Sequence, residues 1–517
     1  MLTDNPIFDL FIITTAVIAA IVAYFHHSYK YWERRGFPFL TPKFPLGNSV
    51  RFVTKSPGFG IETKIFYKDL KRKGHKFGGI YTITNPVLVV VDPDYIRDIL
   101  TKDFHYFVNR GQYHNEKTDP ISAHLFALDE TKWKNMRTKL TPTFTSGKMK
   151  MMFQSILDLS RNMIEAIDES VAEQKDIDIK QVLACFTTDV IGSCAFGIEC
   201  NSFKGTEAEF RRMGQKIFEA DSLPRMLKLL LAVNLPQLAL KLGISTHEKE
   251  VSQFFYQVVE KTIRYREDNN YTRPDFLQLL INIRNDSKAS EHPFTMDQLV
   301  SNMRQPLPGY ENVAQVFLFF IAGFDTSSSA MNFAIYELCK NPSIQEKVRE
   351  EIREVLQKHG GQLTYEGLAE MKYMQQVLDE TLRIYPSVTT LTRVCVKDYK
   401  LRDTDLTIEK GIKVMIPLYS LHNDPEYFPE PDRFDPDRFS DENKRSMHPY
   451  THLPFGDGPR NCIGLRFGIM QSKVGLAAIL SRFRLKISPS TRLPLRLDEG
   501  VLLIKTLDTL YINAEKI

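Results

Sequence analysis

The sequence predicts a mainly α fold with a small β-sheet sector, preceded by an N-terminal transmembrane helix. Three observations carry this. Residues 10–25 are apolar except for Thr14 and Thr15. Amphipathic helical spacing dominates from about residue 93 to 385, most clearly in 151–170, 246–268, 310–340 and 343–357. Runs rich in β-branched residues are confined to 79–84 and 87–91 early, and to 389–417, 501–504 and 509–512 late.

Composition narrows the class before any motif is read. The chain has 517 residues, 67 Lys+Arg against 63 Asp+Glu, and a formal charge of +4. Nucleic acid held by bulk electrostatics would call for a strongly basic domain, so no nucleic-acid partner is expected. With 43% apolar and 25% charged residues, the composition is ordinary for a globular protein. The six cysteines, at 185, 194, 200, 339, 395 and 462, include no C-x-x-C pair, which argues against a cysteine-built zinc site.

The elements follow in chain order. The apolar run, extended back to Ile7, is long enough to span a bilayer core of roughly 30 Å as a helix. Asp4 and Asp9 lie ahead of it, and Lys30, Arg34, Arg35 and Lys43 follow, which puts the body on the cytosolic side. A cleaved secretory signal would start basic; this start is acidic and the span is followed by aromatic residues, which favours an anchor. The expected organisation is an anchor over 1–29, a basic and proline-rich hinge over 30–48, and one catalytic domain over 49–517. Pro38, Pro42 and Pro45 make the hinge stiff and extended. The runs flanking Asn85-Pro86 read as a hairpin turning at that dipeptide. Residues 221–243 are apolar but interrupted by Pro224 and Pro236; they suit either an interfacial membrane contact or a buried core helix.

The chemistry concentrates in Phe455-Gly-Asp-Gly458-Pro-Arg460-Asn-Cys462-Ile-Gly464, ahead of a helix expected from about 465 to 483. Gly458 and Gly464 allow tight turning. A cysteine just before a helix N-terminus meets partial positive charge and N–H donors, which favour the thiolate, a soft ligand suited to haem iron. A lone cysteine would be a buried structural residue. The pattern F-x-x-G-x-R-x-C-x-G, however, arises by chance on the order of once in ten thousand such chains.

With this motif the chain resembles the cytochromes P-450, haem-thiolate monooxygenases of the endoplasmic-reticulum type. Further motifs fall in the family's order. Glu380-Thr-Leu-Arg383 puts Glu and Arg on one helix face. Pro431-Asp-Arg433-Phe434 would supply the third member of the family's Glu-Arg-Arg network. The resemblance thus implies a structural network of Glu380, Arg383 and Arg433. Ala322-Gly323-Phe324-Asp325-Thr326 lies in a long apolar helix. There Gly323 would open room for dioxygen, and Asp325 and Thr326 would relay protons. The bland alternative for Thr326 is a bond back to a carbonyl of the preceding turn. Cys462 would ligate the iron of haem b. Its propionates would be held by Trp133, Arg137, Arg393, Arg460 and Arg110, with Phe455 and Gly464 also against the cofactor.

Residues 119–126 and 139–153 look like the insect detoxification branch, implying plant toxins, insecticides or endogenous lipids as substrates. Substrate contacts are expected from about 105–126, 205–245, Phe319, Phe320, Ala322, 388–391 and 501–503. One departure stands out. Residues 301–313, with Pro306, Pro308 and Gly309, interrupt the start of the long helix, as a loop or as a segment retained from an unspliced or mispredicted sequence. No dinucleotide or phosphate loop is present, so no intrinsic NADPH or flavin site is expected. The resemblance implies electrons from NADPH-cytochrome P-450 reductase, with cytochrome b5 as a second donor. Lys134, Lys444, Arg445, Arg466 and Lys473 would form a basic docking face. Rival readings are a haem-thiolate isomerase, whose members tend to lose the acid–Thr pair retained here, and a non-catalytic membrane haem protein.

Overall fold

The apolar run forms one helix, Pro6–Ser28, whose 23 residues reach about 34 Å at 1.5 Å per residue, enough to cross a membrane. Its apolar side chains are exposed along its length. The segments 179–196 and 313–340 are also long and apolar enough, but they are mostly buried within the protein. The computed structural model describes residues 6–49, 59–204, 208–218, 222–273, 275–289, 310–498 and 503–517.

Two compact units result. The first takes the described residues up to Gly111 together with Thr389–Leu421. Its centre is a four-stranded sheet. The antiparallel hairpin Phe77–Thr82 and Asn85–Val90 continues through Lys413–Ile416, parallel to the second strand, to Leu391–Val394. Val87, Leu88, Val89 and Val90 are buried, as a β-branched run requires. The hairpin turns at Ile83-Thr84, with Ile83 at φ +57°, and Asn85-Pro86 opens the second strand instead of making the turn. Pro86 pairs with Tyr81 at the end of the ladder, where a proline is tolerated.

The expected hinge is a second correction. The prolines do keep residues 37–49 extended, but the segment is zipped onto the first strand and does not hang free after the helix Pro6–Ser28. Leu40 N–H donates to Gly79 O (2.9 Å), Gly79 N–H to Pro38 O (2.8 Å) and Asn48 N–H to Tyr81 O (2.7 Å). The helix Pro6–Ser28 therefore groups with the first unit.

The second unit is helical. Its axis is the long helix Tyr310–Lys340, against which Ile179–Ile191, Leu465–Leu480, Lys372–Ile384 and Lys249–Asp268 pack. The helix starts at Tyr310, so the end of the interrupting segment is its first turn; residues 301–309 lie outside the described residues. The strands Ile177–Asp178, Tyr511–Lys516 and Phe483–Ile487 form an antiparallel sheet, and Phe483 begins a strand where the last helix was expected to end. Residues 223–241 form two helices, Leu223–Asn234 and Pro236–Lys241. Pro224 sits harmlessly in a first turn capped by Ser222, whereas Pro236 makes the break. Met226, Leu227, Val233, Leu235, Leu238, Leu240 and Leu242 are exposed, which decides against a buried core helix.

Candidate functional site

The cysteine loop is built from its backbone. Gly456 and Gly458 take φ near +70°, a region that favours glycine, and a short 3-10 turn covers Gly458–Arg460. Cys462 N–H donates to Phe455 O at 2.9 Å, closing the loop on itself just before the helix Leu465–Leu480. Leu453 N–H donates to His422 Nε2 at 2.8 Å. A methyl at Gly464 would approach only Phe144, at 4.0 Å, so the backbone there borders open space. The Cys462 side chain is exposed. The other cysteines differ: burial pushes the Cys194, Cys200 and Cys339 thiols up to about 12 and the Cys395 thiol up to about 11, so they stay protonated.

The cations expected beside this loop are placed by the helix Glu130–Leu140 and by the loop. Arg137 donates to Asn461 O (2.9 Å) and Oδ1 (2.7 Å). Burial lowers its pKa, and the nearby charge of Cys462 opposes that shift. Arg460 is buried, stacks its guanidinium 4.1 Å over the Trp133 ring, and donates to Leu128 O (2.7 Å) and Leu125 O (3.3 Å). Trp133, Arg137 and Arg460 thus gather around one face of the loop.

Arg393 and Arg110 belong to the first unit, where the Thr392 hydroxyl donates to Arg110 O at 3.1 Å. Arg393 is 2% exposed. It donates to Thr392 O (2.8 Å), its Nε has no hydrogen-bond partner among the described residues, and burial alone pushes its pKa down to about 10. A buried guanidinium in that state calls for an anion. Within the second unit, an accessible thiol with cations beside it fits a haem iron and its propionates; by itself, the first unit holds a buried arginine suited to a carboxylate.

Behind the loop, Glu380 and Arg383 form a fully buried bidentate pair (2.7 and 3.0 Å). Burial lifts the Glu380 carboxyl above its usual range against the pull of Arg383. Arg383 also donates to His422 O (3.0 Å) and Pro431 O (2.7 Å). The third arginine is not Arg433. Its side chain is 63% exposed and pairs with Glu430, and only its carbonyl approaches Arg383, at 3.5 Å. Arg438 Nε lies 3.4 Å from Glu380 Oε1 and takes that place. The sequence carries this signal as a second Pro-Asp-Arg-Phe, at 436–439, five residues beyond the first.

On the long helix, Thr326 Oγ1 donates to Ala322 O at 2.5 Å, the back-bond allowed for such a residue. Ala322 is exposed although it lies mid-helix. Gly323 faces elsewhere: a methyl there would sit 2.2 Å from Ile191 Cδ1, so the glycine lets the helix Ile179–Ile191 approach. The open position is therefore at Ala322, one turn before Thr326. Asp325 pairs with Lys505 at 2.7 Å, a partner that no local motif announces. Phe320 is another correction: it is fully buried among Phe196, Phe210 and Phe255 and is a core residue. Phe319 packs edge-on against Phe276, centroids 4.1 Å apart.

The 112–124 loop is tied to the start of the helix Lys249–Asp268. The fully buried Asp119 carboxylate accepts from Thr246 N and Oγ1 (both 2.9 Å), His247 N (3.2 Å) and His247 Nδ1 (3.0 Å). Burial alone would raise its pKa; His247 and Thr246 together hold it below the usual range. Residues 205–207, 219–221, 501 and 502, expected near substrate, lie outside the described residues. Of the basic set, Lys134, Lys444, Arg445 and Arg466 are exposed. Lys473 is buried, donates to Leu368 O (3.0 Å) and Met371 O (2.9 Å), and has its pKa pushed down to about 8 by burial, so it forms no part of a docking face.

Comparison with known proteins agrees with this geometry. The cytochrome P450 family model matches residues 45–512. The chain is 41% identical over 505 residues to cytochrome P450 6a2 of Drosophila melanogaster, covering 97% of this chain and 98% of that protein. It is 40% identical over 524 residues to probable cytochrome P450 6a14 of the same species, covering 98% and 100%. With cytochrome P450 6A1 of Musca domestica it shares 39% over 508 residues, covering 97% of each.

Proposed function

The chain belongs to the cytochrome P450 family, and we propose that it is a membrane-anchored member that oxidises lipophilic xenobiotics or endogenous lipids. The family makes it a monooxygenase that uses haem iron on a cysteine thiolate, a redox partner, dioxygen and a lipophilic substrate. The finer reading is haem b, electrons from NADPH-cytochrome P-450 reductase with cytochrome b5 as a second donor, and a site in the endoplasmic-reticulum membrane with the catalytic body on the cytosolic face. The apolar helix Pro6–Ser28, followed by Lys30, Arg34 and Arg35, supports the last point.

The observation that carries the reading is Cys462: an accessible cysteine in a glycine-shaped loop at a helix start, with Arg137 beside it. Bound haem supplies the activation of dioxygen and the transfer of one oxygen atom to substrate. The protein does the rest. Cys462 holds the iron from the loop, and the network of Glu380, Arg383 and Arg438 braces the segment behind it. Arg137, Arg460 and Trp133 offer donors for the propionates. The Thr326 hydroxyl, which donates to the carbonyl of exposed Ala322, would pass a proton, and Lys505 pairs with the neighbouring Asp325 and orients it. Exposed Lys134, Arg445 and Arg466 support a docking surface for an acidic redox partner.

The spectrum of the reduced, carbon-monoxide-bound protein tests the assignment. A Soret band without thiolate character overturns Cys462 as ligand. Substrate-dependent NADPH consumption with added reductase tests the electron route, and Thr326→Ala should divert reducing equivalents from product to peroxide.

A further inference from the structure

The end of the anchor helix is locked into the first unit rather than released from it. Tyr81 Oη donates to Tyr29 O (2.8 Å) and accepts from Trp32 N–H (3.1 Å). The Trp32 indole is 1% exposed and donates to Ile80 O at 3.1 Å. It fills a slot that exists because residue 79 is glycine: a methyl there would stand 2.3 Å from the indole ring. Arg35 lies 3.8 Å over the Tyr31 ring and donates to both oxygens of Glu409 (2.8 and 2.9 Å), while Tyr31 Oη donates to the same carboxylate at 2.9 Å.

A second feature sits beside the helix exit. Residues 43–47 form a tight turn closed by reciprocal bonds, Lys43 N–H to Gly47 O (2.7 Å) and Gly47 N–H to Lys43 O (2.8 Å). Tyr29 Oη accepts from Gly47 N–H at 3.0 Å, tying the turn to the helix exit. Gly47 has φ +68°, and a methyl there would meet Tyr81 O at 2.4 Å, so only glycine lets the turn lie this close to the strand. At its tip the Phe44 ring is 5.1 Å from Phe25 of the anchor, yet 60% exposed. Tyr24 is exposed as well, and so are Lys30, Arg34 and Lys43.

Exposed aromatic rings and cations around the end of an apolar span match the headgroup layer of a membrane, where amphipathic rings and basic side chains are both favoured. We propose that the 43–47 turn, with Phe44 at its tip, is a second bilayer contact seated among anionic headgroups, and that residues 29–49 form a rigid collar setting the tilt of the first unit on the membrane. This rests on the reading of Pro6–Ser28 as a membrane span. The collar replaces a swivel with a two-point fixture: the helix supplies hold, and the turn supplies orientation.

The test uses the full-length protein in vesicles of phosphatidylcholine with phosphatidylserine, in plain form and with brominated acyl chains. Native Trp32 and Trp133 are buried, so the emission gained in Phe44→Trp reports the turn. That emission should be quenched several-fold more by brominated vesicles than the wild-type emission is. Lys43→Glu, added to Phe44→Trp, should weaken the quenching with phosphatidylserine and leave it unchanged in phosphatidylcholine alone. Tyr29→Phe, which removes only the oxygen that accepts from Gly47, should reduce the quenching in a protein that keeps its thiolate spectrum. Protein that floats with vesicles but shows no extra quenching of Phe44→Trp overturns the collar. Protein that fails to float overturns the span itself.

Discussion

Single residues separate the two arginines that the same tetrapeptide offers. Arg438→Ala leaves the buried Glu380 carboxylate short of a partner and should cost about 1–3 kcal/mol. Arg433→Ala removes an exposed pair and should stay within about 0.5 kcal/mol. Urea midpoints of the haem-loaded variants check both, and equal losses would return Arg433 to the network. Cys462→Ser should abolish the thiolate signature of the reduced carbon-monoxide complex. The cysteine was legible because its neighbours are chemically unusual as a set, glycines, arginine and phenylalanine at fixed spacing. The arginine was not, because two copies of Pro-Asp-Arg-Phe are indistinguishable until the chain path shows which one reaches Glu380. Lys473 was misread for a related reason: a lysine two turns into a helix looks solvated in sequence, and only the carbonyls of Leu368 and Met371 show that it is buried.

Among the elements, the pair formed by the long helix and Ile179–Ile191 tests what Gly323 is for. Gly323→Ala places a methyl against Ile191 and should cost about 1–3 kcal/mol through overpacking. Adding Ile191→Ala should recover part of that loss, since the two sites touch. Chemical denaturation of the four proteins in the cycle measures the coupling. If Gly323→Ala instead lowers coupled turnover with no loss of stability, the glycine serves dioxygen and not packing. Helix extents were readable from periodicity: the expectation of 310–340 coincides with Tyr310–Lys340 because the apolar stripe and the Asn341-Pro342 stop agree. The hairpin turn was misplaced because Asn-Pro reads as a turn signal, and nothing local says that Ile83 will take φ +57°.

At the scale of the molecule, one buried histidine, His422, and two half-buried ones, His124 and His452, make the fold sensitive to acid. Burial lowers His452 to about 4, His124 to about 3, and His422 well below its usual value. Their folded pKa values lie below the unfolded 6.5, so their contribution is fully present above about pH 6.5 and is lost as pH falls toward the folded values. At about pH 5, His452 and His124 should each cost roughly 2 kcal/mol. Thiolate-ligated haem should therefore be lost on acidification, and His452→Gln should flatten the profile; a profile unchanged by that variant refutes the role. The fold class was legible because helical and strand periodicities occupy separate stretches of the chain. The division into two units was not, because Thr389–Leu421 joins residues more than 300 positions earlier through strand pairing that no local pattern encodes. The Trp32 slot also has a consequence in time. The indole is made 47 residues before the glycine that receives it, and Arg35 is made 374 residues before Glu409. At ~5–20 residues per second, the slot is synthesised roughly 2–10 s after the indole, and the carboxylate follows Arg35 by roughly 20–75 s. During translation the nascent chain thus reaches the bilayer with its indole unshielded, and the ion pair that completes the fixture is among the later events of synthesis.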